Sequence, residues 1–215
     1  MFIKSLTVGL LGTNCYIVAC EKSSEAIVID PGFTEDELAS FIQTINHQGL
    51  RIKFIVNTHG HVDHICGNER LKKVTGAKIA IHEKDADMLM DPSTNLSGAL
   101  GLKGISPPAD VLLIDGDTLE FGSLKLRVLH TPGHTRGSIC LHDSSNRVVF
   151  TGDTLFAGSI GRTDLPGASF KDIMRSIRDK LMVLPDETVV YPGHGEATTI
   201  GKERVENPFC VSLRG

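Results

Sequence analysis

Five of the nine histidines in this 215-residue chain fall in only three places. The first is Thr58-His59-Gly60-His61-Val62-Asp63-His64, directly after a β-type run at 54–57. Imidazole and carboxylate donors suit Zn²⁺, Fe²⁺ or Mn²⁺, and no cysteine stands at these offsets to close a structural zinc site. Four such residues at this spacing would arise by chance on the order of once in a thousand chains. One rigid turn cannot fold all four side chains onto a single ion without strain. Dividing them, His59 and His61 to one ion and Asp63 and His64 to another, is easier, and it demands further ligands downstream.

Three candidates follow, each at the end of a β-type run. His134 stands in Thr131-Pro132-Gly133-His134-Thr135, Asp153 in Thr151-Gly152-Asp153, and His194 in Tyr191-Pro192-Gly193-His194-Gly195. A glycine precedes each of them, which lets the backbone approach an ion closely. Any one of these histidines alone is readily structural, but a set at successive strand ends points to one metal-binding edge. His47, His82, His130 and His142 lack such company and read as structural or solvent-facing.

The elements that must position these residues alternate between short strands and amphipathic helices. Phe2–Val8, 15–19, 26–30, 54–57 and Lys78–His82 read as strands in the first half. Thr34 and Glu37 form a capping box ahead of a helix at 35–47, with Leu38, Phe41, Ile42 and Ile45 on its buried face. A second helix runs through 68–74 to Gly76, and a short one covers 83–90 before Asp91-Pro92. In the second half the strands are Thr118–Phe121, 124–129, 138–142, 147–151 and 188–191. A helix starts from Ser169, with Ile173, Ile177 and Leu181 facing inward. Residues 91–110 carry no periodicity and read either as a lid or as a surface connection. Strands early in each half with helices after them predict an α+β domain of two sheets packed face to face. Helices would cover the outside, with an internal pseudo-twofold.

Bulk properties narrow the function classes. Apolar residues at 40% and charged residues at 22% are ordinary for a soluble chain. A net charge of −4 offers no footprint for nucleic acid or an anionic membrane. No apolar run approaches the roughly 20 residues that span a bilayer, and the N-terminal residues lack a leader pattern. The five cysteines (Cys15, Cys20, Cys66, Cys140 and Cys210) are odd in number and form no Cys-x-x-Cys pair. Free thiols and a reducing cytoplasm are expected.

The sequence resembles the metallo-β-lactamase superfamily, and within it the glyoxalase II-like (hydroxyacylglutathione hydrolase-like) branch. The resemblance is carried by 58–64, 131–134, Gly152-Asp153-Thr154-Leu155-Phe156, Gly161-Arg162-Thr163-Asp164, 192–194 and Asn207-Pro208-Phe209. It implies an αββα sandwich spanning 1–215 as one domain, without most of the glyoxalase II C-terminal helical domain. It implies two divalent ions, zinc first, with iron or manganese fitting the same ligands. By that resemblance His59, His61 and His134 hold one ion. Asp63, His64 and His194 hold the other, and Asp153 bridges them. Asp63 and Asp153 are the carboxylates at the reacting centre. Asp30, in Val28-Ile29-Asp30-Pro31-Gly32, looks like the family's early strand-end aspartate and is expected to orient a ligand. Its plainer reading is a turn-forming Asp-Pro-Gly.

The reaction this implies is hydrolysis of a small-molecule thioester, S-lactoylglutathione or a related acyl-thiol, by a hydroxide held between the metals. A carboxylate at the bridging position speaks against the lactamases that place cysteine there. Arg162 stands where the family contacts glutathione; its plainer role is an ion pair with Asp164. The rival reading is a persulfide dioxygenase, with one Fe²⁺ on His59, His134 and Asp153 in a two-histidine, one-carboxylate site. A metal-binding protein without catalysis is disfavoured because no ligand position is lost. RNA processing would need an inserted domain and a basic surface.

Overall fold

The structure, a computed structural model, describes residues 1–99, 101 and 106–212. Two six-stranded mixed sheets face each other. The first runs β1 (Phe2–Val8), β2 (Thr13–Ala19), β3 (Glu25–Ile29), β4 (Arg51–Val56), β5 (Lys78–His82) and β6 (Val111–Leu113) in spatial order. Its first three strands are antiparallel and the rest parallel. The second sheet contains β7 (Thr118–Phe121), β8 (Leu124–His130), β9 (Ile139–Asp143) and β10 (Val148–Gly152). Beyond the short pair β11 (Leu155–Phe156) and β12 (Ser159–Ile160), it takes in β13 (Val189–Pro192) and β14 (Thr198–Thr199). Its order is β14-β13-β10-β9-β8-β7, with β10 and β13 parallel.

Period-two alternation sorts the side chains into layers. On β2, Tyr16 and Val18 point between the sheets, where they meet Ile27, Ile29, Phe121, Leu126, Val128, Leu141 and Phe150. Cys15, Ile17 and Ala19 point outward, under α1 (Glu35–His47) and α3 (Asn68–Thr75), and pack with Phe41, Ile45 and Leu71. On the far side, α4 (Phe170–Ser176) continues as a π-helical turn, Ile177–Leu181. It lays Ile173, Ile177 and Leu181 on the second sheet, together with Ile200 from α5 (Ile200–Glu206). This is the αββα arrangement expected from the sequence. The expected caps form as well: Thr34 N–H donates to Glu37 at 2.7 Å, and Asp172 N–H to Ser169 Oγ at 3.2 Å.

Several elements were not legible beforehand. β2 begins at Thr13, two residues earlier than its apolar run, because Thr13 and Asn14 pair with Val8 and Thr7 while their side chains reach across the molecule. β6, β11, β12 and β14 are two or three residues long, too short for periodicity to reveal. The expected helix at 83–90 is a 3₁₀ helix, Glu83–Leu89. Two further short helices, α2 (Val62–Ile65) and α6 (Pro208–Val211), carry motif residues that read as loop. In the 91–110 segment, residues 100 and 102–105 lie outside the described ones. Of the remainder, Asn95 and Ser97 are buried, and the Asn95 carbonyl accepts the Val62 N–H at 2.9 Å. That stretch packs beneath the histidine cluster.

Tyr16 and His82 pin the loops at the sheet edge. The Tyr16 hydroxyl donates to the Pro192 carbonyl at 2.7 Å, tying the first sheet to the residue just ahead of Gly193-His194. His82 is buried and stacks on His130, with ring centroids 4.0 Å apart. Its Nδ1 accepts the Lys84 N–H at 3.2 Å, capping the 3₁₀ helix. Burial, then the neighbouring His130, pushes the His82 pKa down to about 4. A histidine whose folded pKa lies below its unfolded value of about 6.5 contributes stability above that value. The contribution is lost as pH falls through the folded pKa. Metal-free protein is therefore expected to lose stability between pH 6.5 and 4. His82→Asn, which keeps an acceptor but does not titrate, should flatten that slope in urea unfolding; an unchanged slope would remove His82 from the account.

Candidate metal centre

Four strand ends and the helical turn α2 converge at one edge of the sandwich. β4 delivers His59 and His61, and α2 places Asp63 and His64. β8 leads to His134, β10 to Asp153 and β13 to His194. Every residue singled out as a ligand is here. Three groups have donor atoms within 4.8 Å of one another: His59/His61/His134, Asp63/His64/His194 and His59/His64/Asp153. Asp153 faces both sides, with one oxygen 3.5 Å from His64 Nε2 and the other 3.6 Å from His134 Nε2 and 3.7 Å from His194 Nε2. Such spacings are too long for hydrogen bonds and suit donors arranged around something between them.

Hydrogen bonds fix which nitrogen each ring turns inward. Asp30 is buried at φ +50°, a left-handed conformation that aspartate tolerates better than most residues. Its carboxylate accepts the Thr58 N–H and the Thr58 hydroxyl, both at 2.7 Å. With its proton committed to Asp30, the Thr58 oxygen must accept from His59 Nδ1 at 3.1 Å. The lone pair of His59 is thereby left on Nε2, a buried atom with no hydrogen-bond partner among the described residues. The Asp30 carboxylate also lies 3.0 Å from His64 Nδ1, at ion-pair distance, which leaves Nε2 facing Asp63 and Asp153 at 3.3 and 3.5 Å. Asp30 thus stands behind both histidines and is more than a turn residue. His134 Nδ1 donates to the Arg162 carbonyl at 2.9 Å, turning its Nε2 inward to within 2.9 Å of His61 Nδ1.

The electrostatics call for positive charge at the centre. Burial, then the adjacent imidazoles, drives His59 well below the ordinary histidine range and His61 down to about 3, so both rings are neutral donors. Burial opposes charge on Asp63, but His64 and His194 outweigh it and hold its carboxyl far below the usual range. Burial likewise opposes protonation of His64, yet the Asp63, Asp153 and Asp30 carboxylates raise its pKa well above normal. In His194, hydrogen bonding to Asp63 and the charge of Asp153 overcome burial in the same sense. Neutral imidazoles with inward lone pairs, beside carboxylates that demand a cation, are the donor set a pair of divalent ions would need. Unpartnered buried atoms in His59, His64 and Asp153 fit the same requirement.

Close approach explains the glycine before His194. A Cβ on Gly193 would collide with Asp153 Oδ1 and stand 3.0 Å from His64 Cε1. Sequence reading missed two supporting residues, Thr13 and Asn14. The Thr13 hydroxyl donates to Asp63 Oδ2 at 3.0 Å, and the Asn14 amide donates to the carbonyls of Pro192 and Gly195 at 3.1 and 2.8 Å. Their only sequence signal is polarity at the start of an otherwise apolar strand. The Arg162 guanidinium, expected at the substrate, pairs with Asp164 at 2.8 and 3.0 Å and is largely exposed. Asn207 ties α6 to the β11–β12 hairpin by donating to the Ser159 carbonyl at 3.0 Å. The cluster opens on one side only: the His194, Asp63 and Asp153 side chains are 26%, 16% and 12% exposed, whereas His59 and His64 are closed off.

Comparison with known proteins agrees with this geometry. Residues 8–194 match the metallo-β-lactamase superfamily. The chain belongs to that superfamily. It is 37% identical to hydroxyacylglutathione hydrolase GloC of Haemophilus influenzae, over 99% of both chains. Among solved structures it is similar to BLEG-1, a B3 metallo-β-lactamase, with a TM-score of 0.91 and 36% identity over 97% of this chain and 99% of that one. It is similar to TTHA1623 in a di-iron-bound form, with a TM-score of 0.84 and 37% identity over 96% and 99%. It is also similar to ETHE1 of Myxococcus xanthus, with a TM-score of 0.81 and 30% identity over 97% and 84%. The His/Asp cluster of this metallo-hydrolase relative can hold metal ions. A bridging role for Asp153 predicts that Asp153→Ala purifies with less than half the metal of the parent protein by elemental analysis and loses activity in step. Full metal content in that variant would reject the bridge.

Proposed function

We propose that this protein is a metal-dependent thioesterase of the glyoxalase II type, acting on S-lactoylglutathione or a related acyl-thiol. The observation that carries the reading is the presence of two separate ligand sets with the Asp153 carboxylate facing both. Metal 1 is assigned to His59, His61 and His134, metal 2 to Asp63, His64 and His194, with Asp153 shared. Zinc is the first choice and iron or manganese the others, because these donors suit all three. Similarity to a hydroxyacylglutathione hydrolase over nearly the whole chain supports the thioester substrate.

A pair of such ions supplies Lewis acidity for a carbonyl oxygen and a water ionised near neutral pH. The chain's own residues do the rest. Asp63, fixed by Thr13 Oγ1 and by His194 Nε2 3.2 Å away, and Asp153 line the open side, where a substrate carbonyl can enter. Asp30 and the Arg162 carbonyl hold the histidine rings with their inward nitrogens unprotonated. A thiolate leaves without needing a strong proton donor, since thiols ionise near pH 8.5, and the centre contains no separate general acid among the described residues. Arg162 is assigned to the thiol arm on the substrate side, where its reach would require releasing Asp164.

The competing reading, a dioxygenase with one iron on His59, His134 and Asp153, leaves His61, Asp63, His64 and His194 without a ligand role. Two assays separate the chemistries. The thioesterase is expected to release thiol from S-lactoylglutathione, to consume no O₂ with glutathione persulfide, and to carry two metals per chain. O₂ uptake by a protein holding a single equivalent of iron would overturn the proposal.

A further inference from the structure

Behind the first ligand set lies a buried carboxylate that metal binding does not use. Asp85, on the 3₁₀ helix Glu83–Leu89, is fully buried. Its Oδ2 accepts the Gly60 N–H at 3.1 Å and the Thr135 hydroxyl at 2.6 Å, and its Oδ1 accepts the Gly137 N–H at 2.6 Å. Gly60 sits between His59 and His61, on the loop leaving the first sheet. Thr135 and Gly137 follow His134, on the loop leaving the second. One side chain therefore spans the two loops that must meet to complete the His59/His61/His134 set. The second set has different anchors: Thr13 on Asp63, Asp30 on His64, and Asn14 on the backbone around His194.

We propose that Asp85 is a positioning residue that sets the separation of the two loops carrying His59/His61 and His134, and so governs affinity for the ion in that set alone. The chemistry of the contact requires a carboxylate. Three donors, two N–H groups and one O–H, converge on two oxygens. An amide at this position would turn its NH₂ toward at least one of those donors, leaving a buried clash and an unsatisfied N–H or O–H. The fit is also steric: a Cβ on Gly137 would stand 2.6 Å from Asp85 Oδ1, so the loop behind His134 approaches the carboxylate as closely as only glycine permits. The helix that carries Asp85 is itself capped by His82, which stacks on His130 at the start of the same second-sheet loop. Helix and loop are thus held together on both sides of the contact. Outer partners that orient ligands through hydrogen bonds typically change metal affinity by about 10–100-fold when removed.

The inference rests on the two-set division of the ligands but not on the substrate, so metal affinity is its readout and thiol release is not. Asp85→Asn is made in a His194→Ala chain, where only the first set is complete, and in a His134→Ala chain, where only the second is. Zinc affinity is measured in each by competition with a chromogenic chelator, alongside thermal melting of the metal-free proteins. The expected result is an affinity loss of about 10–100-fold in the first background and no more than about twofold in the second. Equal losses in both backgrounds, or none in either, would overturn the proposal. Thr135→Val and Thr135→Ser keep the question answerable if Asp85→Asn does not fold. Valine should weaken the first set only and serine should restore it; valine without effect on that set would count equally against the role. Absence of thiol release from the parent protein, with its zinc affinities intact, would instead count against the thioesterase reading.

Discussion

Five imidazoles and two carboxylates crowd into one edge of this sandwich, and their packing cannot be explained by burial of apolar surface. Rings that meet at centroid distances of 4.1 to 5.3 Å leave His59 Nε2 and the His64 nitrogens buried without a hydrogen-bond partner among the described residues. Leaving such atoms buried and unpaired is costly. The arrangement is favourable only when positive charge occupies the space between them. The neighbouring carboxylates raise the affinity of His64 and His194 for a proton, which shows the same demand for positive charge; divalent ions would supply it.

Rigidity comes from three levels of support. The apolar layer between the sheets fixes the strand ends from which the ligands emerge, with Tyr16, Phe150 and Tyr191 in mutual aromatic contact close beneath the centre. Above that layer, buried polar side chains tie the two halves together: Asn14 and Tyr16 of the first sheet reach Pro192 of the second, and Asp85 joins Gly60 on a first-sheet loop to Thr135 and Gly137 on a second-sheet loop. Finally, Asp30 and the Arg162 carbonyl choose the tautomer of individual rings. Each level acts on the next, so a small displacement between the sheets would be felt as a change in ligand geometry. Access from solvent is confined to the side where His194, Asp63 and Asp153 are partly exposed.

Much of the fold could be read in advance because long elements carry strong periodic signals. The 13-residue helix α1 and the alternating strand β8 state their buried faces directly, and the apolar run of β2 marks a strand buried on both faces. The elements missed were short, such as β11, β12, β14 and α2 of two to four residues and the seven-residue α5, and their existence depends on partners distant in the chain. The ligands were legible for a different reason: histidine and aspartate in tight clusters after β-type runs have few structural uses. Their supporting residues were not. Thr13, Asn14 and Asp85 are ordinary polar residues at unremarkable positions in the sequence, and only their long-range hydrogen bonds distinguish them.

By itself, the sequence singled out the candidate metal donors and the layered α+β architecture, because clustered residue types and local spacing are sufficient for both. The division of those donors into two sets and the place of Asp30 behind them were expected from the resemblance; only the tertiary structure decided how far apart the donors stand, which nitrogen His59 and His134 present, and that Thr13, Asn14 and Asp85 support the loops. These depend on distances between loops that belong to different sheets and lie up to about 180 residues apart in the chain, as Asn14 and Gly195 do. A linear pattern carries no measure of such distances. They are set by the packing of the two sheets and by the buried hydrogen bonds that cross between them.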